Sequence, residues 1–466
     1  MAMLCIDMPR QVTAALERLN AAGYEAYIVG GCVRDALLDR NPNDWDITTS
    51  ARPEETAACF ADQRTVDTGL KHGTLTVLME GMPLEITTFR SDGVYEDHRH
   101  PVCVTFSTHI EEDLSRRDFT VNAMAYHPTR GLVDLFGGRE DLQARRIACV
   151  GEPERRFDED GLRILRAIRF ASVLDFEVDP RTAEAVHGCR HLLTYIAPER
   201  IREELCKLIT GVGSVRILRE YADVIGLFLP ELGACVGFAQ NTKYHCYDVY
   251  EHILQTLSHT DSRDLITRLA ILLHDIGKPD CYTEDERGGH FYGHGERSAE
   301  ITRELMRRLR FDNATADAVT RLVKYHDCPI PAEEKGLKRW MQRLSDEDLL
   351  RLLEIQRCDR LACAPDYSTP DPSLAQIPGM LQQLRKENAC VSLKDLQVKG
   401  TDLMELGIPA GKDMGRLLAA LLEDVLDGTL PNQRSVLLES ATKRWDLYQN
   451  KIADIQNKKS VLDNSQ

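Results

Sequence analysis

An α+β fold is predicted for this chain, with strands confined to roughly the first third and helices filling the rest. Three observations carry that prediction. Short apolar runs bounded by Gly and Pro recur only before residue 150. From about residue 155 the apolar residues recur at helical spacing. The chain has 466 residues, 43% hydrophobic and 28% charged, an ordinary globular composition too long for one core. At about 100–200 residues per domain it divides into three or four domains.

The elements follow in order. QVTAALERLNAAG reads as an amphipathic helix with Gly23 at its C-terminal cap. AYIVGG is a buried strand running into a tight turn. TLTVLM (74–79) and LEITTF (84–89) form a hairpin about Gly81, Met82 and Pro83, and the polar stretch 90–104 is a loop. Residues 1–150 are thus a mixed α/β domain. GLRILRAIRFAS, RTAEAVHGC, PERIREELCKLI and VRILREYADVIGL are helices of a second region, 151–235. A third, 236–365, is helical with a Gly-rich interruption near 286–295. Pro365, Pro370, Pro372 and Pro378 mark a linker over 364–380. The final region, 380–466, contains the helix MGRLLAALLEDVLDG and ends in a polar tail expected to fray.

Fifty-eight Lys and Arg against 74 Asp and Glu give a net charge of −16. Attraction of the whole chain to nucleic acid is excluded, so any such surface is a local basic patch. No run approaches the length of a membrane-spanning helix, and the N-terminus has no signal-peptide pattern. The 14 cysteines are scattered without a C-x-x-C pair, as in a reduced, cytoplasmic protein.

The first chemical constellation is Gly30-Gly31 followed by Asp44 and Asp46. A Gly-Gly turn after a strand lets backbone N–H groups approach phosphate oxygens. Aspartates two apart on a strand point to one face and can grip one Mg²⁺, the arrangement of metal-assisted nucleotidyl transfer. The alternative is a solvated aspartate pair in a turn. Glu85, on the later strand, is either a third carboxylate or an exposed strand residue.

The second lies over residues 160–169. With Asp160 at 0° on a helix, Arg163, Arg166 and Arg169 fall at about −60°, −120° and 180°, opposite an apolar face. Such a stripe is a solvated ion-paired face or a base reader. Cytosine and adenine present an amino donor beside a ring-nitrogen acceptor, whereas guanine and uracil present the reverse. One carboxylate with one guanidinium therefore accepts C and A and rejects G and U. The third constellation spreads His252, His274, Asp275, His294, His326 and Asp359 over the second half. Imidazoles with carboxylates suit Mn²⁺, Ni²⁺ or Mg²⁺, and two such sets can bracket a hydrolytic water; the alternatives are histidines merely packed or exposed on their helices, or a metal that is only structural.

The first half resembles the class II tRNA nucleotidyltransferase and poly(A) polymerase family. The resemblance is carried by Val29-Gly-Gly-Cys-Val-Arg-Asp35, Asp44-Trp-Asp46, Arg116-Arg-Asp-Phe-Thr-Val-Asn-Ala123, Asp134-Leu-Phe-Gly-Gly138, Arg156-Phe-Asp-Glu-Asp-Gly-Leu-Arg163, Arg166-Ala-Ile-Arg169 and Glu199-Arg-Ile-Arg-Glu203. It implies a polymerase β-like nucleotidyltransferase head with a mixed sheet, then a helical neck, body and tail. It implies Mg²⁺ on Asp44 and Asp46, base pairing to Asp160 and Arg163, and nucleotide contacts from Gly31, Arg34, Arg117, Arg166 and Arg169. Arg116 shares the role of its neighbour Arg117. The third constellation resembles the HD phosphohydrolase signature, which implies one ion on His252, His274, Asp275 and Asp359. His294 and His326 would support a second ion, and Lys278 would touch substrate phosphate.

The implied activity is addition of CCA to the tRNA 3′ end from CTP and ATP, with pyrophosphate released, beside a phosphohydrolase activity of the HD region. One alternative is a poly(A) polymerase, whose extra basic element is missing from Asp67-Thr-Gly-Leu-Lys-His-Gly-Thr-Leu. Another is a CC-only or A-only enzyme; the CC-only kind has a shortened loop, whereas Arg90 to Pro101 has full length. A third, of another class, is an HD phosphohydrolase with a nucleotide-sensing head.

Overall fold

The computed structural model describes residues 5–69, 73–92 and 104–463. The chain divides into two compact units, Met1–Thr320 and Arg321–Gln466. The division falls inside the 236–365 region. Among the described residues no helix is long and apolar enough to cross a membrane, and no disulfide forms.

The first unit opens with helix α1 (Arg10–Ala21), which buries Val12, Leu16 and Leu19. Gly23, at φ 91°, ends it just beyond its cap, because a left-handed residue there lets the Gly23 and Tyr24 N–H groups close back on Asn20 and Leu19. Strand β1 (Ala26–Val29) then enters the sheet, and Gly30 turns the chain into the short helix α2 (Gly31–Leu37). Next come β2 (Asp46–Thr49), α3 (Pro53–Cys59), β3 (Arg64–Gly69), β4 (Thr74–Met79) and β5 (Met82–Thr88). Strands β6 (Arg90–Asp92) and β7 (Val104–Phe106) follow, then α4 (Ile110–Ser115), β8 (Met124–His127) and β9 (Gly131–Asp134). The main sheet runs β3-β4-β5-β2-β1-β8-β9 and is mixed: β2 and β5 are parallel, the other neighbours antiparallel.

Two local expectations are corrected. The β4–β5 turn is narrower than Gly81-Met82-Pro83: Met79 pairs with Met82, and Glu80 and Gly81 both have positive φ. A two-residue turn of that hand matches the twist of the strands. The stretch 90–104 is not all loop, since β6 and β7 pair at its ends; residues 93–103, on which the loop-length argument rests, lie outside the described residues. So do Leu70, Lys71 and His72, within the stretch weighed against the poly(A) polymerase element, and the last three residues of the tail.

After α5 (Gly138–Gln143) and β10 (Arg146–Ile147) come α6 (Pro153–Glu159), α7 (Leu162–Leu174), β11 (Glu177–Val178), α8 (Pro180–Gly188) and α9 (Pro198–Ile209). Helix α7 is buried on nearly every side and packs along α9. VRILREYADVIGL is not one helix: it breaks at Tyr221 into α10 (Ser214–Glu220) and α11 (Ala222–Phe228). The short α12 (Pro230–Gly233) leads to α13 (Val249–Ser258), α14 (Leu265–Leu273) and α15 (Lys278–Cys281). The Gly-rich interruption is a hairpin, β12 (Thr283–Asp285) with β13 (Gly288–His290), before α16 (His294–Arg308).

Helix α17 (Asn313–Tyr325) runs across the division. The second unit continues with α18 (Glu334–Arg343), α19 (Asp346–Leu361), α20 (Ile377–Lys386), α21 (Gly400–Glu405), α22 (Lys412–Leu426) and α23 (Arg434–Asp463). Its core joins Leu396, Leu403 and Ile408 to Leu421, Leu422 and Leu437. The proline-rich stretch is not an open linker. Pro365 and Pro372 start 3₁₀ turns and Pro378 lies in the first turn of α20, where a fixed φ and a missing N–H cost nothing.

Candidate active site

The carboxylates lie at the start of β2. Trp45 is buried between exposed Asp44 and half-buried Asp46, the alternation of an extended chain that turns both aspartates to one face. The parallel register sets Asp46 opposite Glu85 of β5. Burial raises the Asp46 carboxyl above its ordinary range, and Glu85 and Asp44 add to the rise while Arg117 opposes it. Three carboxylates sharing one patch repel one another unless a cation lies among them, and an all-oxygen donor set of this kind suits Mg²⁺. The residues present therefore fit a divalent ion.

The Gly30–Gly31 turn lies against the same place. Gly30 has φ 79°, and a Cβ there would come within 3.0 Å of the Arg117 Nη1 atom, so only glycine suits both the backbone and the arginine. Arg117 and Arg116 both donate to Asp113, at 3.2 Å from Arg117 Nη2 and 2.7 Å from Arg116 Nη2. Asp113 is fully buried and also accepts from Thr48 Oγ1 on β2 at 3.2 Å. Burial pushes its pKa up, but the two guanidiniums outweigh that and hold it below the ordinary range. This aspartate ties the arginine pair to the strand carrying Asp46, and sequence reasoning missed it.

Arg34, on α2, donates to Asp35 at 2.8 Å and to Asn122 at 2.7 Å. Its guanidinium lies 5.1 Å from the centre of the Phe170 ring, with Arg166 at 5.4 Å and Arg169 at 3.5 Å from the same ring. Three arginines around one aromatic ring form a cationic patch suited to polyphosphate. Carboxylates hold the other two as Asp35 holds Arg34: Asp118 accepts from Arg166 Nε at 2.7 Å and Glu204 of α9 from Arg169 Nε at 2.7 Å. Burial opposes ionisation of Asp118 most strongly, yet Arg166, Arg163 and the Phe119 N–H bring its pKa down to about 2.

The expectation that Asp160 belongs to the arginine helix is overturned. Asp160 is extended (φ −144°, ψ 104°) and caps the end of α6, and α7 begins only at Leu162. Its Oδ1 accepts from the Leu162 N–H at 3.0 Å, and its Oδ2 lies 3.1 Å from Arg200 Nη2 on α9. The physical reason is local: the Asp160 carboxylate takes the Leu162 N–H, and a short polar side chain bonded to the backbone two residues on draws its own residue out of the helix. The arginine stripe is also no solvated face. Arg163 is buried and donates to Glu159 at 2.6 Å and to the Arg156 and Arg116 carbonyls at 3.0 and 3.2 Å.

A second cluster gathers His252 of α13 with His274 and Asp275 after α14, all buried. His252 and His274 place Nε2 at 3.4 and 3.2 Å from Asp275 Oδ2, and His294 Nε2 is 3.4 Å from Oδ1. His274 Nδ1 is bonded to the Ile271 carbonyl at 2.7 Å and His294 Nδ1 to the Phe291 carbonyl at 2.9 Å. A carbonyl only accepts, so in the neutral ring Nδ1 carries the proton and Nε2 turns its lone pair toward the carboxylate. Acceptors facing an acceptor at that range fit a metal ion between them. Lys278 Nζ is 2.7 Å from Asp275 Oδ2 and donates to Gln240 at 2.9 Å. His326, buried just after α17 with Nδ1 on the Val323 carbonyl at 2.7 Å, and Asp359, on α19, belong to the second unit.

Comparison with known proteins follows the same geography. Residues 26–148 match the poly A polymerase head domain, 175–232 the probable RNA and SrmB-binding site of polymerase A, and 295–441 a domain described as tRNA nucleotidyltransferase domain 2. The CCA-adding enzyme of Levilactobacillus brevis is 34% identical over 94% of this chain and 97% of its own length. That of Lactobacillus gasseri is 47% identical over 94% and 98%. The crystal structure of the Bacillus stearothermophilus CCA-adding enzyme in complex with CTP superposes with a TM-score of 0.72 at 29% identity, covering 95% of this chain and all of that one.

Proposed function

The chain belongs to the class II CCA-adding enzyme family, and from that premise we propose that it adds C, C and A to the 3′ end of tRNA, using CTP and ATP and no nucleic-acid template. The observation that carries the reading is the convergence of Asp44, Asp46 and Glu85 with the Gly30 turn, Arg117 and the arginines on Phe170. A divalent cation, Mg²⁺ by its donor set, would be held by Asp44 and Asp46 and would supply Lewis-acid activation of the 3′-hydroxyl and neutralise charge on the departing pyrophosphate.

The protein's own groups do the rest. The Gly30 N–H is taken by the Met124 carbonyl, so the turn offers triphosphate oxygens the Gly31 N–H at the start of α2, and Arg117, Arg34, Arg166 and Arg169 neutralise them. The Asp160 carboxylate accepts from the amino group shared by cytosine and adenine, and Arg163 donates to the neighbouring ring nitrogen. Glu159 and two carbonyls fix Arg163, and Arg200 fixes Asp160, so the reader is preorganised before a base arrives. The test replaces Asp44 or Asp46 by Ala. Nucleotide addition should fall by several orders of magnitude with the circular dichroism spectrum unchanged; turnover near that of the wild type in either variant would sink the metal assignment.

A second activity is favoured by the Nδ1-to-carbonyl bonds of His274 and His294, which aim Nε2 at Asp275. The proposal is a metal-dependent phosphohydrolase centre on His252, His274 and Asp275, with His294 for a second ion of the Mn²⁺, Ni²⁺ or Mg²⁺ kind. The sequence signature adds His326 and Asp359 to the set. A cyclic 2′,3′-phosphate or a phosphomonoester at a damaged tRNA end is the substrate that unites both activities: clean the end, then extend it.

A further inference from the structure

The hairpin beside the histidine centre carries an aromatic side chain that folding does not explain. Tyr292 is 78% exposed, more than any other large apolar side chain among the described residues. It is nevertheless held in place. Its ring stacks on His290 with centroids 5.2 Å apart and planes 13° from parallel, and His290 Nε2 is 3.0 Å from Asp285 Oδ1 across the hairpin.

That hairpin is docked on the segment before α13. Gly289 donates to the Asn241 carbonyl at 2.9 Å, and Asn241 Nδ2 donates to the Tyr282 hydroxyl at 2.9 Å. A Cβ on Gly288 or Gly289 would collide with the Asn241 or Gln240 carbonyl, at 2.5 and 2.3 Å, so glycine is what allows this docking. Gln240 in turn accepts from Lys278, the ion-pair partner of Asp275. Tyr292 lies two residues before His294, and two residues of chain span at most about 7 Å. A flat ring with one face on His290 and the other open to solvent is thus fixed within a nucleotide's reach of Asp275.

We propose that Tyr292, stacked on His290, is a base platform: the terminal base of an RNA 3′ end lies on its open face while the terminal phosphoester enters the centre at Asp275. Every nucleobase has a π-face, so such a platform accepts any terminal base and needs no donor or acceptor of its own. The inference rests on the hydrolytic reading of the centre and narrows its substrate to phosphoesters that carry a nucleobase. On a 2′,3′-cyclic phosphate, a water oxygen bonds to phosphorus and one ribose–oxygen bond to phosphorus breaks. The released ribose oxygen takes a proton from that water, and a phosphomonoester remains.

The test uses the full chain loaded with Mn²⁺ or Ni²⁺ and compares the wild type with Tyr292→Ala, Tyr292→Phe and His274→Ala. One substrate is a short RNA ending in a 2′,3′-cyclic phosphate, the other glycerol 1,2-cyclic phosphate, which has no base. Tyr292→Ala should raise KM for the RNA by about fivefold or more, from the usual worth of one stacked base. Its kcat, bound metal and glycerol ester hydrolysis should be unchanged. Tyr292→Phe should behave as wild type, and His274→Ala should lose both activities. An unchanged RNA KM in Tyr292→Ala, or an equal loss on both substrates, overturns the platform. If the wild type hydrolyses neither substrate, the hydrolytic reading fails and the platform is judged by binding alone. Adenosine 3′-monophosphate, titrated with CTP saturating the head, should then bind Tyr292→Ala about fivefold or more weakly; equal affinity overturns the proposal.

Discussion

Asp118→Asn removes one charge from the centre of the arginine cluster and keeps the shape. The Asp118 carboxylate accepts from Arg166 Nε and Nη2 at 2.7 and 2.6 Å and from the Phe119 N–H at 2.9 Å, in a site with little access to water. Burial works against its charge, but Arg166 and its helpers hold the pKa near 2, against an ordinary 3.8. At about 1.4 kcal/mol per pKa unit, that depression contributes about 2 kcal/mol to folding. The folded pKa lies below the unfolded one. The contribution is therefore complete above about pH 4 and is lost as the pH falls toward about 2. The assay is urea unfolding of wild type and Asp118→Asn along a pH series. The variant should be weaker by about 2 kcal/mol near neutrality, and the gap should close across that acid window. A neutral-pH gap under about 0.5 kcal/mol, or one that persists unchanged into the acid range, would refute the reasoning. Arg166, with its carboxylate partner neutralised and only Glu204 at 4.0 Å still charged beside it, should also be positioned less firmly, so KM for CTP and ATP should rise.

Two further outcomes follow from the site geometry. Asp160→Ala combined with Arg163→Ala should erode discrimination against UTP and GTP more than it weakens triphosphate binding, because the proposed site assigns the phosphates to Arg117 and the Gly30–Gly31 turn. Unchanged CTP/UTP and ATP/GTP ratios in single-turnover assays would exclude the base-reading role. His274→Ala with Asp275→Ala should abolish Mn²⁺-, Ni²⁺- or Mg²⁺-dependent phosphodiesterase activity and lower bound metal while CCA addition survives. A wild-type protein that binds metal yet cleaves neither cyclic phosphates nor phosphomonoesters would leave the metal a purely structural role.

What the sequence makes legible is what depends on local period. Asp44 and Asp46 share a face because extended chain has a period of two, and α7 is recognisable from its apolar spacing. What it hides depends on residues far apart in the chain. Glu85 becomes the neighbour of Asp46 only through the parallel β2–β5 register. Asp118 and Glu204 lie 48 and 35 residues from the arginines they hold, so no i,i+4 rule finds them, and the arginine stripe passes for a solvated face. Phe170 falls at about −80° on the same wheel, between Arg163 and Arg166, yet as an aromatic it passes for core until three guanidiniums are seen around its ring. Asp160 is misplaced by a helical wheel because the wheel ignores its side chain, which bonds the Leu162 N–H and separates α6 from α7.

The central claim is that one site on this chain reads C twice and then A without a template strand. The direct measurement incubates the purified protein with tRNA lacking its 3′ CCA and with labelled CTP, ATP, UTP or GTP, alone and together. CTP alone should extend the tRNA by two residues and stop, CTP with ATP should add a third, and UTP and GTP should add none. ATP alone giving a long tail would mark a poly(A) polymerase, and arrest after CC with ATP present would mark a CC-only enzyme; either result contradicts the account.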